Sequence, residues 1–135
     1  MAAPNIVNVA SITGITTFRA GLSTVGSGDG FQTGITTIVS NASGSGKVLK
    51  INNLSAAAIG STTGVSVFYH NNATATSAAS TVSIARTVSV PLFSSLIVIS
   101  KENSFYLEEN RCITAVSQSN TGGTIDIVCS YEEIS

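Results

Sequence analysis

The clearest alternation of apolar and polar residues lies between Thr81 and Val90. Its large apolar members share one parity: Val82, Ile84, Val88 and Val90. Because successive side chains of an extended chain point to opposite faces, this pattern predicts a strand with one apolar face and one hydroxyl face. Pro91 ends the strand, since proline has no N–H to give to a ladder.

The following segment, Leu96–Ile99, is apolar on both parities. It is too short for the core of a helix and rich in β-branched residues, so it predicts a strand that is covered on both sides. Arg86 interrupts the apolar parity of the preceding strand. It indicates either a bulge or edge position that turns the side chain outward, or a covered and paired guanidinium.

Five further segments show strand patterns between polar turns: Lys47–Leu54, Gly64–His70, Phe105–Leu107, Arg111–Ser117 and Thr124–Tyr131. Strands recur about every ten residues, and no stretch carries a sustained apolar period of a helix. The sequence therefore predicts an all-β chain, a single antiparallel β-sandwich of about seven to nine strands, of jelly-roll or immunoglobulin-like type.

The first third of the chain is lighter and richer in glycine. Thr13–Thr17 repeats as Thr33–Thr37, either as a duplicated short strand or as two matching arm segments. We expect residues 1–40 to form an extended N-terminal arm and residues 41–135 to form the sandwich domain. The candidate partner contacts of this arm are its apolar residues: Ile6, Val7, Val9, Ile12, Ile15 and Phe18. Deleting residues 1–30 is expected to leave a folded sandwich that binds its partners less well, because so sparse a segment becomes ordered only against a sheet.

Composition bears on the surface. Hydrophobic residues make up 43% of the chain and charged residues only 10%. Such a weakly charged, hydroxyl-rich surface suits a protein whose faces are covered by partners. The net charge is −1 and the basic residues are scattered, which excludes a nucleic-acid-binding patch. No apolar run approaches the roughly 20 residues that span a membrane, and the first residues lack the pattern of a secretory signal.

Two cysteines, Cys112 and Cys129, are too few for a zinc site. A symmetric hairpin about Asn120 and Thr121 would place their sulfurs opposite each other across a ladder. Such a pair is either two reduced, buried thiols, as in a protein that matures in a reducing cytoplasm, or a disulfide formed after release.

Other candidate residues do not assemble into an active site. His70 ends a strand beside two asparagines, which predicts a solvated side chain, and no nucleophile motif accompanies it. Glu108-Glu109 and Glu132-Glu133 lack the loop of a hard-cation site. Gly46-Lys47 lacks the flanking residues of a phosphate-binding loop. We therefore expect no enzymatic activity, no cofactor and no metal.

Several segments resemble small virion structural proteins of tailed bacteriophages, especially those of cyanobacteria and other marine bacteria. They are AAPNIVNVASITG, KVLKINNL, IARTVSVP, LIVISKENSFYLEEN and VCSYEEIS, in that order along nearly the whole chain. Residues 20–45 depart from the pattern, being richer in glycine and repeated. The matching motifs are structural, and none carries a catalytic residue.

This resemblance implies a capsid decoration or cement protein on the phage head, assembled in the cytoplasm of the host bacterium. Its implied partners are the major capsid protein and copies of itself, most simply as a homotrimer on a threefold site of the shell, with neither nucleic acid nor membrane. Two alternatives remain open at this point. One is a tail, collar or fibre-attachment module, and the other is a glycan- or receptor-binding β-sandwich.

Overall fold

The alternating segments form strands in two antiparallel sheets. The computed structural model describes residues 8–22, 35–75, 81–118 and 122–135. Within these residues the strands are β1 (Ile12–Leu22), β2 (Thr36–Asn41), β3 (Val48–Ile59), β4 (Thr63–His70), β5 (Thr81–Val90), β6 (Ser95–Ile99), β7 (Phe105–Leu107), β8 (Arg111–Gln118) and β9 (Thr124–Ile134). A 3₁₀ turn, Lys101–Asn103, joins β6 to β7. The predicted all-β class is confirmed.

Sheet A has the strand order β1-β9-β3-β6, and β7 also pairs with β3. Strand β6 pairs with Leu54–Ala57 and β7 with Leu49–Ile51, so the two short strands follow each other along one edge of β3. Sheet B has the order β2-β8-β4-β5. Every strand pair in both sheets is antiparallel.

The inner faces of the two sheets share one hydrophobic core. Sheet A contributes Ile51, Leu54, Ile125 and Ile127, and sheet B contributes Val65, Val67 and Ile113. All of these side chains are buried. Burial of each one stabilises the fold by roughly 1.5–3 kcal/mol, so the core, and not any local helix or turn, holds the sheets together.

Strand bounds agree with the alternation to within three residues, except at the end of β3. Strands β5 and β7 occupy the predicted ranges, whereas β3 continues beyond Leu54 to Ile59 through residues predicted as a connection. Ala56 and Ala58 lie in the core there. Because alanine and serine favour strands weakly, the sequence alone did not reveal this extension.

Of the two interpretations of Arg86, the structure shows the bulge and the edge position. Strand β5 forms an edge of sheet B. Its register slips between the pairs Val65–Val88 and Val67–Ala85, so that an extra β5 residue is accommodated beside Arg86, whose side chain is exposed. Thr87 has a φ of 47° and donates its backbone N–H to Ser66 Oγ at 2.8 Å.

The described part of the predicted N-terminal arm contributes one edge strand to each sheet. Strand β1 pairs with β9 in sheet A, and β2 pairs with β8 in sheet B. The first TGITT copy lies within β1, and the second leads into β2 with Thr36 and Thr37. These strands complete the hydrogen-bonding edges of β9 and β8, and the division at residue 40 stays a prediction. Part of the segment, residues 1–7 and 23–34, lies outside the described residues.

The predicted hairpin of the two cysteine strands is wrong. Strand β8 belongs to sheet B and β9 to sheet A. Cys112 lies across from Ser40 and His70, whereas Cys129 lies across from Thr17 and Leu54. Both thiols are free and buried. The local turn between the strands suggested a symmetric ladder, but each strand pairs with distant segments on both of its edges.

Candidate interaction surface

His70 is buried, in contrast to the predicted solvated side chain. It is 0% exposed and lies on the face of sheet B that points away from the core. Its Nε2 lies 2.7 Å from Thr114 Oγ1 and its Nδ1 lies 3.0 Å from Thr81 Oγ1. Desolvation lowers the pKa of the imidazole. Hydroxyl groups therefore occupy both ring nitrogens, and the neutral ring is the favoured form.

The two cysteines lie in surroundings that suppress thiol chemistry. Burial raises the pKa of Cys112 to about 11 and that of Cys129 to about 12. Because the thiolate is the nucleophile and the metal ligand, both groups are unreactive thiols at neutral pH. Among the described residues, no group of three or more His, Cys, Asp or Glu side chains is placed to hold a metal ion.

Three of the glutamates are held by neighbouring groups. The carboxylate of Glu109 accepts backbone N–H bonds from Gly44 at 3.1 Å and from Gly46 at 2.7 Å. The glycine loop that resembles a phosphate-binding sequence thus binds an internal carboxylate. Glu133 pairs with Lys47 at 2.6 Å, and Glu132 lies 3.9 Å from the Nζ of Lys50.

The outer face of sheet A carries a row of exposed apolar side chains. Register places Phe18 beside Val128, Val128 beside Ser55, and Ser55 beside Ile97. Residues directly opposite each other in an antiparallel pair point to the same face. Phe18 is 68% exposed, Val128 42% and Ile97 63%. We call these three residues, together with the small Ser55 between Val128 and Ile97, the apolar row; it crosses the whole sheet from β1 to β6.

Polar rows lie beside the apolar row on the same face. The next row contains Thr16 and Ser130, whose hydroxyl oxygens are 3.0 Å apart, together with Asn53. Beyond it, Glu132 of β9 lies beside Lys50 of β3. The outer face of sheet A is therefore an ordered pattern of apolar, neutral polar and charged rows.

A second exposed apolar group lies at the turn between β5 and β6. The turn Pro91–Ser94 is closed by a bond from the Ser94 N–H to the Pro91 carbonyl at 3.1 Å. Phe93 is 87% exposed and has a φ of 59°. Bulky residues rarely adopt this left-handed conformation. Its neighbours Leu92 and Ile59 are also exposed.

The backbone conformation of Phe93 costs folding free energy, and its side chain recovers little of that cost within the chain. A non-glycine residue in such a conformation costs of the order of 1–3 kcal/mol. A phenyl ring that stays in water gains almost none of the stabilisation that burial would give. An exposed, strained aromatic is therefore a feature expected of a binding site.

The predicted arm contacts are divided by the structure. Ile12 and Phe18 are exposed on β1, and Val9 and Ile15 are half-buried. Ile6 and Val7 lie outside the described residues. Phe18 thus belongs to an exposed apolar surface, as a candidate contact should.

Sequence reasoning missed Ile97, Val128 and Phe93 as candidate contacts. A signal for Ile97 was present in the run Leu96–Ile99, which is apolar on both parities. That run predicted a strand covered on both sides, but β6 is an edge strand and Ile97 points to solvent. An apolar residue on the outward parity of an edge strand is the pattern of a surface that a partner would cover.

A scan against protein-family models finds no match, and a search of curated proteins finds no similar sequence. No helix among the described residues is long and apolar enough to cross a membrane.

Proposed function

We propose that the two sheets form a jelly-roll sandwich. With β6 and β7 counted as one interrupted strand, the pairs β1–β9, β2–β8, β3–β6/β7 and β4–β5 are nested inside one another along the chain. This is the pairing of one long antiparallel ribbon folded at the β4–β5 connection. The further pairs β3–β9 and β4–β8 roll that ribbon into two sheets. Eight strands in two such sheets are the jelly-roll plan, which occurs in viral capsid and lectin domains.

We infer that the protein is a non-enzymatic structural component of a tailed-phage virion, a decoration protein that stabilises the head. The observation that carries this proposal is Phe93, which is strained and almost fully exposed at one end of the sheets. The sequence resemblance to phage virion proteins supplies the biological setting. A fold by itself assigns no function, so the proposal depends on this surface.

The turn is suited to bind a protein partner. Aromatic side chains that enter a pocket and lose all water contact supply much of the free energy of protein association. Leu92 and Ile59 would extend the apolar contact around Phe93, and the low charge of the chain keeps the desolvation cost small. In this proposal the partner is the major capsid protein, and the sandwich stands on the shell with the Pro91–Ser94 turn inserted.

The experiment is decoration of purified phage particles by the full-length protein. Particles that lack the protein are incubated with wild-type chain, with Phe93→Asn or with Val82→Asn. Val82 is a matched control, because it is exposed and apolar but lies at the opposite end of β5. We expect hundreds of copies per particle for wild type and Val82→Asn, and a loss of at least about tenfold in affinity for Phe93→Asn.

Equal binding of Phe93→Asn and wild type would contradict the proposed contact. A copy number of a dozen or fewer in native particles would contradict the head-decoration role and favour a tail or collar module. Specific binding of the isolated chain to a sugar would instead favour the glycan-binding class.

A further inference from the structure

The outer face of sheet A has a self-complementary pattern along its two central strands. Strands β9 and β3 are neighbours in the middle of the sheet. Three successive pairs of their outward residues are Val128 with Ser55, Ser130 with Asn53, and Glu132 with Lys50, and the ladder continues from Val128 with Asp126 opposite Ala57. In each of the three pairs from Val128 to Glu132, the residue on one strand is the chemical or steric complement of the residue on the other.

We infer that this face binds the same face of a second copy of the chain. A two-fold axis that runs parallel to the strands, midway between β9 and β3, would place β9 of each copy over β3 of the other. Each outward residue would then face, on the second copy, the same residue that it pairs with across the ladder of its own chain. Val128 would then lie over the small Ser55 of the second copy, and Ser130 over its Asn53. A two-fold contact uses one surface twice, so every favourable pair occurs in duplicate.

The same axis would also bring opposite charges together and would bring the two ends of the apolar row of one copy over those of the other. Glu132 of each copy would lie over Lys50 of the other copy, which gives two ion pairs across the interface. At the margins, Phe18 would lie over Ile97 of the second copy, so the largest exposed side chains of the row would cover each other. Sheets that pack face to face at about 10 Å interdigitate such side chains.

The area is sufficient for a specific dimer. Four strands at about 4.8 Å spacing give a width of about 19 Å. The 11 residues of β9 give a length of about 36 Å at roughly 3.3 Å per residue. The whole outer face of sheet A then measures about 700 Å², and a contact that covers all of it on both copies would bury about 1,400 Å² in total, within the range of about 1,200–2,000 Å² for stable interfaces.

This inference is independent of the proposed virion role, and it differs from the homotrimer expected from the sequence resemblance. A threefold contact joins two different patches, whereas the central rows of sheet A are complementary to themselves. The state of the purified chain in solution therefore tests it without any phage particle.

The decisive experiment is charge exchange between two variants, followed by sedimentation equilibrium. In Lys50→Glu both central positions are acidic, and in Glu132→Lys both are basic. Each variant alone would place like charges across the interface and within its own chain, and we expect self-association at least about tenfold weaker than wild type. When the two variants are mixed, both contacts between position 50 of one copy and position 132 of the other become ion pairs. The like charges at these two positions within each chain remain. We expect a mixed dimer with affinity within about threefold of wild type.

Restoration only on mixing identifies a contact between copies, since a defect inside either chain would persist. Ser89→Glu is the control, because it adds a negative charge to an exposed position of sheet B and should leave the dimer unchanged. Phe18→Ser should weaken the dimer about a hundredfold, since two phenyl rings leave the interface. A wild-type chain that remains monomeric across the micromolar range would overturn the inference. So would a dimer or trimer that Lys50→Glu leaves intact, or variants that do not associate when mixed.

Discussion

Replacing Phe93 by asparagine should make the isolated protein more stable. Phe93 has a φ of 59°, and a left-handed conformation costs an L-residue roughly 1–2 kcal/mol. Asparagine visits this region readily, and the chain itself uses Asn110 with a φ of 57°. Since the phenyl ring is 87% exposed, its removal forfeits little buried area. We expect the free energy of unfolding of Phe93→Asn to exceed that of wild type by about 1 kcal/mol.

Thermal and urea denaturation measure this difference. For a chain of this size, about 1 kcal/mol corresponds to a rise in Tm of about 3–5 °C. Phe93→Ala is the matched control, because alanine removes the ring but keeps a Cβ atom in the left-handed region. Its stability should stay within about 0.5 kcal/mol of wild type. The comparison separates the backbone cost from any contact of the ring.

An equal loss of stability in both variants would refute the expected gain, because that result would mean that the phenyl ring packs within the chain. A gain in stability for Phe93→Asn, together with lost particle binding, would show that the wild-type residue is kept at a cost to folding. Such an exchange of stability for binding is common at functional positions.

Three further predictions concern the buried His70, the closely packed Gly123 and the edge strand β1. The contribution of His70 to the free energy of unfolding should be fully present above pH 6.5, the ordinary pKa of histidine, and should be lost as the pH falls through the lowered pKa of this buried side chain. The cause is that the unfolded chain binds more protons than the folded chain in this range. His70→Gln should remove this pH dependence from the urea midpoints measured between pH 7.5 and 5. Gly123→Ala should cost about 2 kcal/mol or more, because the added Cβ would collide with the side chains of Ser61 and Thr63, whereas Gly14→Ala, which meets open space, should be near neutral by thermal melting. Deleting residues 1–30 should lower the Tm of a still cooperative transition, since β1 completes the edge of β9, and an unchanged Tm would show that β1 does not contribute to stability.

Local patterns predicted the bounds of strands well, although the predicted apolar face of β5 is only partly buried, since Val90 is 1% exposed and Val82 is 62% exposed. The alternation between Thr81 and Val90 and the stop at Pro91 need no knowledge of the rest of the chain. Strand β3 is the exception, since its last residues are small and weakly apolar, and the core around Ala56 and Ala58 is what makes them a strand. Propensity is too weak to decide such a segment.

Pairing partners were not predictable from those patterns. The turn between β8 and β9 suggested a hairpin, yet Cys112 and Cys129 lie in different sheets. Each strand pairs with segments that are far away in the sequence. The alternation of apolar and polar residues identifies a strand but does not indicate which other strand pairs with it. The burial of His70 could not be predicted for the same reason. Its imidazole contacts Thr114 of β8 and Thr81 of β5, which are not its neighbours in sequence.

The sequence contained a partial signal for the candidate surfaces, because some of their residues depart from the pattern expected of a strand or a turn. Ile97 breaks the alternation of an edge strand, and Phe93 occupies a turn position that favours glycine or asparagine. Neither residue could be placed on a surface without the sheet register. The self-complementarity of β9 and β3 was hidden entirely, because it depends on which residues lie opposite each other.

The two surfaces lie on different parts of the molecule, and this separation lets one chain engage two kinds of partner. The apolar row crosses the outer face of sheet A, whereas Phe93 lies at the end of the sheets beyond Ala58, whose carbonyl accepts its N–H at 3.3 Å. A two-fold axis between β9 and β3 would direct both copies of the turn toward the same end, since rotation about an axis parallel to the strands preserves their direction. A dimer would therefore present two Phe93 side chains to a single partner surface. Binding through both turns would be tighter than through one, because the second contact forms at high effective concentration. Loss of the dimer by Lys50→Glu should then weaken attachment to particles even though the Pro91–Ser94 turn is unaltered, and loss of Phe93 should leave the dimer intact.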